Sequence, residues 1–251
     1  MNIFGLNLKI ANFNEVIEYI QKYDKSHKNG IHIVSLNPEI MVSISEQPIA
    51  KEAFRSANIG IVDGIGMYIL MRLKGLSKIQ RLTGIELMEN LLEESEKEGW
   101  KVLFIGGKAN LSEKVLYCQQ KKYPKIKAKA MEGVKNIRNS DNSHEEAEIW
   151  KVLNDFKPKI VFVSYGSPYQ EMWIEKNRNH FQGMVVTGVG GAFDMFVGTL
   201  PRAPKLIRKI GMEWFWRLLL QPSRWKRQLK LLKFVYLAIK DILSGKKDEV
   251  F

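Results

Sequence analysis

A single cysteine, Cys118, stands in 251 residues, so no internal disulfide can form and nothing calls for an oxidising compartment. The opening stretch MNIFGLNLKIANFNEV has no charged start followed by a long apolar run, and no signal peptide is expected. The longest apolar runs, such as Phe234 to Ile239, fall far short of the roughly 20 residues needed to cross a bilayer. No Walker A pattern and no Asp-x-Asp pair occurs. The four histidines, His27, His32, His144 and His180, lack metal-ligand spacing and read as surface or core filler. No cofactor or metal is therefore expected, and any bound phosphate should be neutralised by the protein's own cations.

With 45% apolar and 26% charged residues, the chain has ample material for a buried core. Its net charge of +12 is unevenly spread, because residues 202–251 carry 13 Lys and Arg against only 4 Asp and Glu. A nearly neutral body, 1–201, is thus followed by a basic appendage, 202–251, rich in Trp and Leu. Such a segment is suited to an anionic surface, either a phospholipid leaflet or a nucleic-acid backbone.

Five short apolar runs read as buried strands: Ile31–Val34, Ile59–Val62, Val102–Ile105, Ile160–Val163 and Met184–Thr187. Helical spacing lies between them. Thr83 with Glu86, Ser143 with Glu146, and Ser167 with Gln170 fit the capping-box pattern, with Pro168 suited to the first helical position. Alternation of this kind predicts an α/β fold with a mostly parallel sheet covered on both faces.

The chemistry-bearing residues follow these runs. Ser35 and Asn37 come after the first, Asp63-Gly64-Ile65-Gly66 after the second, Gly106-Gly107 after the third, Gly166-Ser167-Pro168 after the fourth and Gly188-Val189-Gly190-Gly191 after the fifth. All five clusters fall at carboxyl ends of strands, the edge where helix N-termini and bared amides converge on ligands. Asp63 there suits a general base, with a turn or cap aspartate as the structural alternative. Asn37 is equally readable as a turn residue before Pro38, and Gln170 as a helix cap. The stretch from Gly188 to Asp194 lacks the third glycine of a dinucleotide fingerprint and follows the last strand, which argues against an NAD-dependent oxidoreductase.

In the appendage, Arg202, Arg208, Arg217, Arg224 and Arg227 suit bidentate phosphate contact. Beyond Pro222 a basic amphipathic helix is expected, with Trp225, Lys226, Lys230, Lys233 and Lys240 as membrane contacts. Each lysine near an anionic leaflet contributes about 1 kcal/mol. Leucine and tryptophan crowd this segment, which favours lipid over nucleic acid. A C-terminal helix packed on the core with a solvated lysine face is the structural alternative.

Taken in order, SLNPE (35–39), VDGIGM (62–67), RLTGIEL (81–87), FIGG (104–107), YGSPYQE (165–171), GVGGAFDMFVGTLPRAP (188–204) and GMEWFWRLLLQPSRWKRQ (211–228) resemble the WecG/TagA/CpsF family, glycosyltransferase family 26. The resemblance implies a Rossmann-like core and an appendage that touches the bilayer and completes the active site. It also implies a peripheral enzyme on the cytoplasmic face of the membrane, inverting in stereochemistry. Such an enzyme moves a sugar, N-acetylmannosamine in the teichoic-acid branch, from a UDP-sugar donor to a polyprenyl-diphosphate-linked N-acetylglucosamine acceptor. By the same resemblance Asp63 is the catalytic base, and Ser35, Asn37, Arg81 and Gln170 occupy pocket positions. Gly106, Gly107 and Gly190 belong to the substrate-binding turns, Asp194 lies near the nucleoside, and Arg217, Arg224 and Arg227 reach the diphosphate. Four positions depart from the usual family residues: Ser35 for Thr, Glu86 for Asp, Ser164 for Gly and Tyr169 for Lys. The last removes a positive charge near the pocket and leaves glucose, galactose and N-acetylmannosaminuronate open as donors. A non-catalytic membrane adaptor and a homo-oligomeric assembly also stay open.

Overall fold

The computed structural model describes residues 2–23, 29–107, 110–138 and 143–243, leaving aside the side chains at 2, 143, 224, 226 and 227. It opens on a small antiparallel hairpin, β1 (Asn2–Ile3) and β2 (Leu6–Asn7), followed by α1 (Phe13–Lys22). Six strands then form one sheet: β3 (Ile31–Leu36), β4 (Ile59–Val62), β5 (Lys101–Gly106), β6 (Lys127–Met131), β7 (Ile160–Ser164) and β8 (Val185–Gly188). Their order across the sheet is β4-β3-β8-β7-β5-β6, and every pairing is parallel. The connecting helices are α2 (Pro38–Glu46), α3 (Pro48–Arg55), α4 (Ile65–Leu73), α5 (Gly84–Glu98), α6 (Leu111–Lys122), α7 (Ser143–Phe156), α8 (Tyr169–Lys176) and α9 (Ala192–Phe196). The appendage adds α10 (Lys205–Lys209), α11 (Glu213–Leu220) and α12 (Trp225–Leu243).

The five strands expected from apolar runs are all present, and their alternating side chains divide between two faces. Ile31, Ile33, Ile59, Ile61, Phe104 and Phe162 pack under α1, α5, α6 and α9. Val34, Leu36 and Val62 face α2, α3, α4 and α12, while Leu103, Ile105, Val161 and Val163 face α7 and α8. Such two-sided burial is why these strands read as continuous apolar runs. β3 and β8 are neighbours, yet α2 leaves β3 toward one face and α9 leaves β8 toward the other. This topological switch opens a crevice at the carboxyl edge.

Local capping follows the expectation at α5, where Thr83 Oγ1 accepts from the Glu86 N–H and Glu86 returns a bond to the Thr83 N–H. At α8 the expectation is corrected. The helix starts at Tyr169 with Pro168 at the cap and no side-chain capping bond, because Gln170 is engaged elsewhere. For α7, Ser143 lies outside the described side chains, and Glu146 accepts instead from Trp173 Nε1 at 2.8 Å.

The appendage folds back on the body. Arg202 is held by Glu89 at 2.6 Å and Glu86 at 3.7 Å on α5, which withdraws it from phosphate duty. α12 lies along α2, with Phe234 buried in the cluster that also holds Met41, Met67 and Leu70. Asp241 near its far end pairs with Lys74 at 2.7 Å and accepts from the Phe4 N–H at 3.1 Å.

Candidate active site

The crevice is a cavity of about 880 Å³, bounded by the ends of β3, β4 and β8, the first turns of α2, α4 and α5, and the inner sides of α11 and α12. Asp63 closes β4 against the sheet: its N–H donates to the Leu36 carbonyl at 2.9 Å, directing its carboxyl into the cavity. Beside it, Leu82 N–H donates to the Val62 carbonyl at 2.9 Å, so residues 81–83 run along the sheet's edge and aim the N-terminus of α5 at the carboxylate. The Gly84 amide donates to Asp63. Gly84 also carries no side chain where a Cβ would lie 3.2 Å from Ser35 Oγ. That hydroxyl is buried, and among the described residues it has no hydrogen-bond partner.

Desolvation raises the Asp63 pKa to about 6, against the opposing pull of the Arg217 guanidinium and the Gly84 amide; Glu213 and Glu86 push it further up. A carboxyl poised there ionises near neutrality while remaining basic enough to take a proton. Arg217 comes from α11, lines the same cavity and is steered by Glu213 at 3.6 Å, with Nη2 also 3.2 Å from Met195 Sδ. The appendage thus delivers a cation to the carboxylate at the sheet edge.

Gln170 is the hinge of the opposite wall. Its Oε1 accepts from both the Gly166 and Gly190 amides, each at 3.1 Å, tying the β7–α8 turn to the β8–α9 turn. Its Nε2 donates to Glu171 Oε1 at 2.8 Å, which fixes the amide's orientation. Glu171 is buried, and desolvation raises its pKa despite hydrogen bonds from Gln170 and Ser167.

Of the other expected site residues, Asn37 and Arg81 line the cavity and three do not. Asn37 lines the cavity but spends Oδ1 on capping α2, accepting from Ile40 N–H at 2.9 Å. Arg81 also lines it, while donating to the Arg208 carbonyl and so tying the body to the appendage. Gly106, Gly107 and Asp194 are not among the lining residues. Gly106 and Gly107 turn the chain with φ of 91° and 90°, and a Cβ on them would strike Tyr165 or Leu111. Asp194 sits inside α9, its carbonyl accepting from Leu200 N–H and Thr199 Oγ1. The side chains of Arg224, Arg227 and Lys226 lie outside those described.

Two of the lysines expected at the membrane make contacts with α2. Lys230 lines the cavity and donates to Ser43 Oγ at 2.8 Å, and Lys233 pairs with Glu46 at 2.5 Å, so both tie α12 to α2. Lys240 and Trp225 are exposed. What α12 turns outward is chiefly apolar: Leu229, Leu232, Tyr236 and Leu243 are all exposed. Sequence reading missed Glu213, Trp214 and Glu171 as cavity residues. The four-residue step from Glu213 to Arg217 on one helix face was the available signal.

The family model of the glycosyl transferase WecG/TagA/CpsF family matches residues 1–248. The chain belongs to that family. Among similar proteins is the N-acetylglucosaminyldiphosphoundecaprenol N-acetyl-beta-D-mannosaminyltransferase of Bacillus subtilis strain 168, 30% identical over 92% of this chain and 88% of its own length. The enzyme of that name from Staphylococcus aureus strain MRSA252 is 29% identical over 94% of this chain and 91% of its own. At the cavity's rim the Arg138 guanidinium stacks 4.9 Å from the centroid of the Tyr169 ring, which lines the cavity.

Proposed function

We propose that this chain transfers N-acetylmannosamine from UDP to a polyprenyl-diphosphate-linked N-acetylglucosamine, with inversion at the sugar's anomeric carbon, for synthesis of a cell-wall or surface polymer. The observation carrying this reading is the meeting of Asp63 and Arg217 in one cavity at the carboxyl edge of the sheet. The relatives' names supply the donor sugar and the acceptor.

In this mechanism the Asp63 carboxylate removes the proton from the attacking acceptor hydroxyl. The new bond forms from that oxygen to the anomeric carbon while the carbon–oxygen bond to UDP breaks, and UDP leaves with the electron pair. Arg217 stabilises the charge that grows on the departing diphosphate, and amides of the Gly190–Gly191 turn are placed to add to it. Arg224 and Arg227 share that duty in this reading. The work asked of these cations is what a divalent ion does elsewhere, so turnover should persist in EDTA.

The substrate is amphiphilic, and the same reading puts the protein at the cytoplasmic membrane face as a peripheral enzyme. No helix among the described residues is long and apolar enough to cross a membrane. The outward apolar face of α12 beside basic residues supports attachment to an anionic leaflet rather than nucleic acid.

The deciding experiment measures UDP release across a panel of UDP-sugars, with prenyl-diphosphate N-acetylglucosamine as acceptor and EDTA present. Selective turnover of UDP-N-acetylmannosamine is expected. A preference for UDP-glucose, UDP-galactose or the uronate would replace the donor, and hydride chemistry with NAD would overturn the reading.

A further inference from the structure

The catalytic cavity does not end at its polar groups. Beyond Asp63 and Arg217 it continues as a trough between α4 and α12. One wall presents Ile69 and Leu73, one helical turn apart; the other presents Val235, Ile239 and Ile242 at the same kind of spacing. Their exposures are 50%, 67%, 53%, 52% and 40%. Apolar stripes at this spacing ordinarily pack against something, and here two of them face one groove with no described residue inserted between them. The floor is finished, since Phe234 is 4% exposed and packs close to Gly66.

The position of the α12 wall is also fixed. Lys230 and Lys233 fix the near part of α12 to α2, and the Lys74–Asp241 pair, 8% and 12% exposed, fixes its far part to the end of α4. Contacts at both ends of α12 thus set its position beside α4. Its polar end carries Arg217 and Lys230, cations suited to a diphosphate, and its other end offers only hydrocarbon.

We propose that this trough holds the isoprenyl segment nearest the diphosphate of the lipid acceptor, so that the tail sets the register in which the acceptor sugar meets Asp63. The inference rests on the acceptor class given under the proposed function. It assigns the two apolar faces of α12 different tasks: Val235, Ile239 and Ile242 take the substrate's tail, whereas Leu232 and Tyr236, which do not line the cavity, face outward. Continuity with the catalytic cavity singles out the acceptor's own chain over bulk membrane lipid as occupant.

The test measures kcat/KM with N-acetylglucosamine diphosphates whose prenyl chain is lengthened stepwise, at fixed detergent. Three forms of the full chain are compared: wild type, Ile69→Asn/Ile239→Asn in the trough, and Leu232→Asn/Tyr236→Ser outside it. Wild-type kcat/KM should climb at least ten-fold with chain length and then level off. The trough variant should lose most of that gain with its donor KM unmoved, and the outward variant should keep it. A trough variant with the wild-type length dependence overturns the proposal, as does an outward variant that loses it equally, which would assign the effect to the membrane. Should the trough variant fail to fold, a photoreactive prenyl diphosphate bound to wild type should crosslink to peptides of α4 and α12. Labelling confined to other segments also overturns it. Absence of UDP release with acceptors of every length would defeat the parent reading instead.

Discussion

At the scale of the residue, Asp63 carries two opposed demands. Its carboxyl is raised to about 6, so between the ordinary carboxylate range and pH 6 the folded protein holds a proton that the unfolded chain has released. Stability contributed by this group therefore falls as pH rises through that window, and above it the ionised form is a standing cost. Asp63→Asn should raise Tm at pH 7.5, with the gain shrinking toward pH 4, as followed by thermal denaturation. The same substitution should lower turnover at least ~10²-fold, the range of a lost general base. The wild-type profile of kcat/KM should fall below an apparent pKa near 6. Gln170 makes a different case. A Cβ on Gly188 would lie 2.3 Å from its Nε2, so Gly188→Ala must push Gln170 off the two amides it joins. Activity is expected to drop ten-fold or more, with donor KM rising. Wild-type kinetics in that variant would show that the clasp between the two turns is dispensable. Asp63 was legible because it follows a buried strand and precedes two glycines. Gln170 was legible as a cap or a pocket position but not as a clasp, since the capping pattern imitates a sequence whose side chain reaches across to a strand-end turn twenty residues away.

At the scale of the element, α12 is the most informative. Its lysines and leucines were readable, but which of them face α2, the cavity or solvent depends on where the helix lies, and that is set by long-range partners such as Ser43, Glu46 and Lys74. The largely shielded Lys74–Asp241 pair should be costly to break from one side: Asp241→Ala removes the close carboxylate partner of the Lys74 ammonium and should lower stability in denaturant unfolding. The double change Lys74→Met/Asp241→Leu should recover much of that loss. The strand β6 illustrates the converse limit. Its sequence, KAKAM, alternates lysine and alanine at a sheet edge and has little of the β-branched or aromatic content that marks a strand. Only its neighbour β5 makes it one.

At the scale of the whole molecule, charge and apolar surface are gathered on the appendage side, where α10, α11 and α12 expose Leu206, Ile210, Leu219 and Leu232. Binding to anionic vesicles should exceed binding to zwitterionic ones and weaken as salt rises, measured by cosedimentation. Deleting 202–251 should do more than abolish that binding. It strips Phe234 from its cluster and Arg202 from Glu89, so Tm should fall along with turnover. The parallel sheet was legible because burial on both faces leaves unbroken apolar runs. The inward folding of the basic segment was legible only through the family resemblance and as the alternative of a helix packed on the core, because charge composition names the surface a segment favours and not the side from which it approaches its own body.

The strip of chain that aims α5 at Asp63 has a second effect. Gly60 is already paired in both directions with residues 9–11, and the Val62 carbonyl is taken by Leu82. The β4 margin thus has no vacant rung for another strand, while the opposite margin, β6, bristles with Lys127 and Lys129. Edge-to-edge pairing of this six-stranded sheet with that of a second copy is in this way disfavoured at both of its margins.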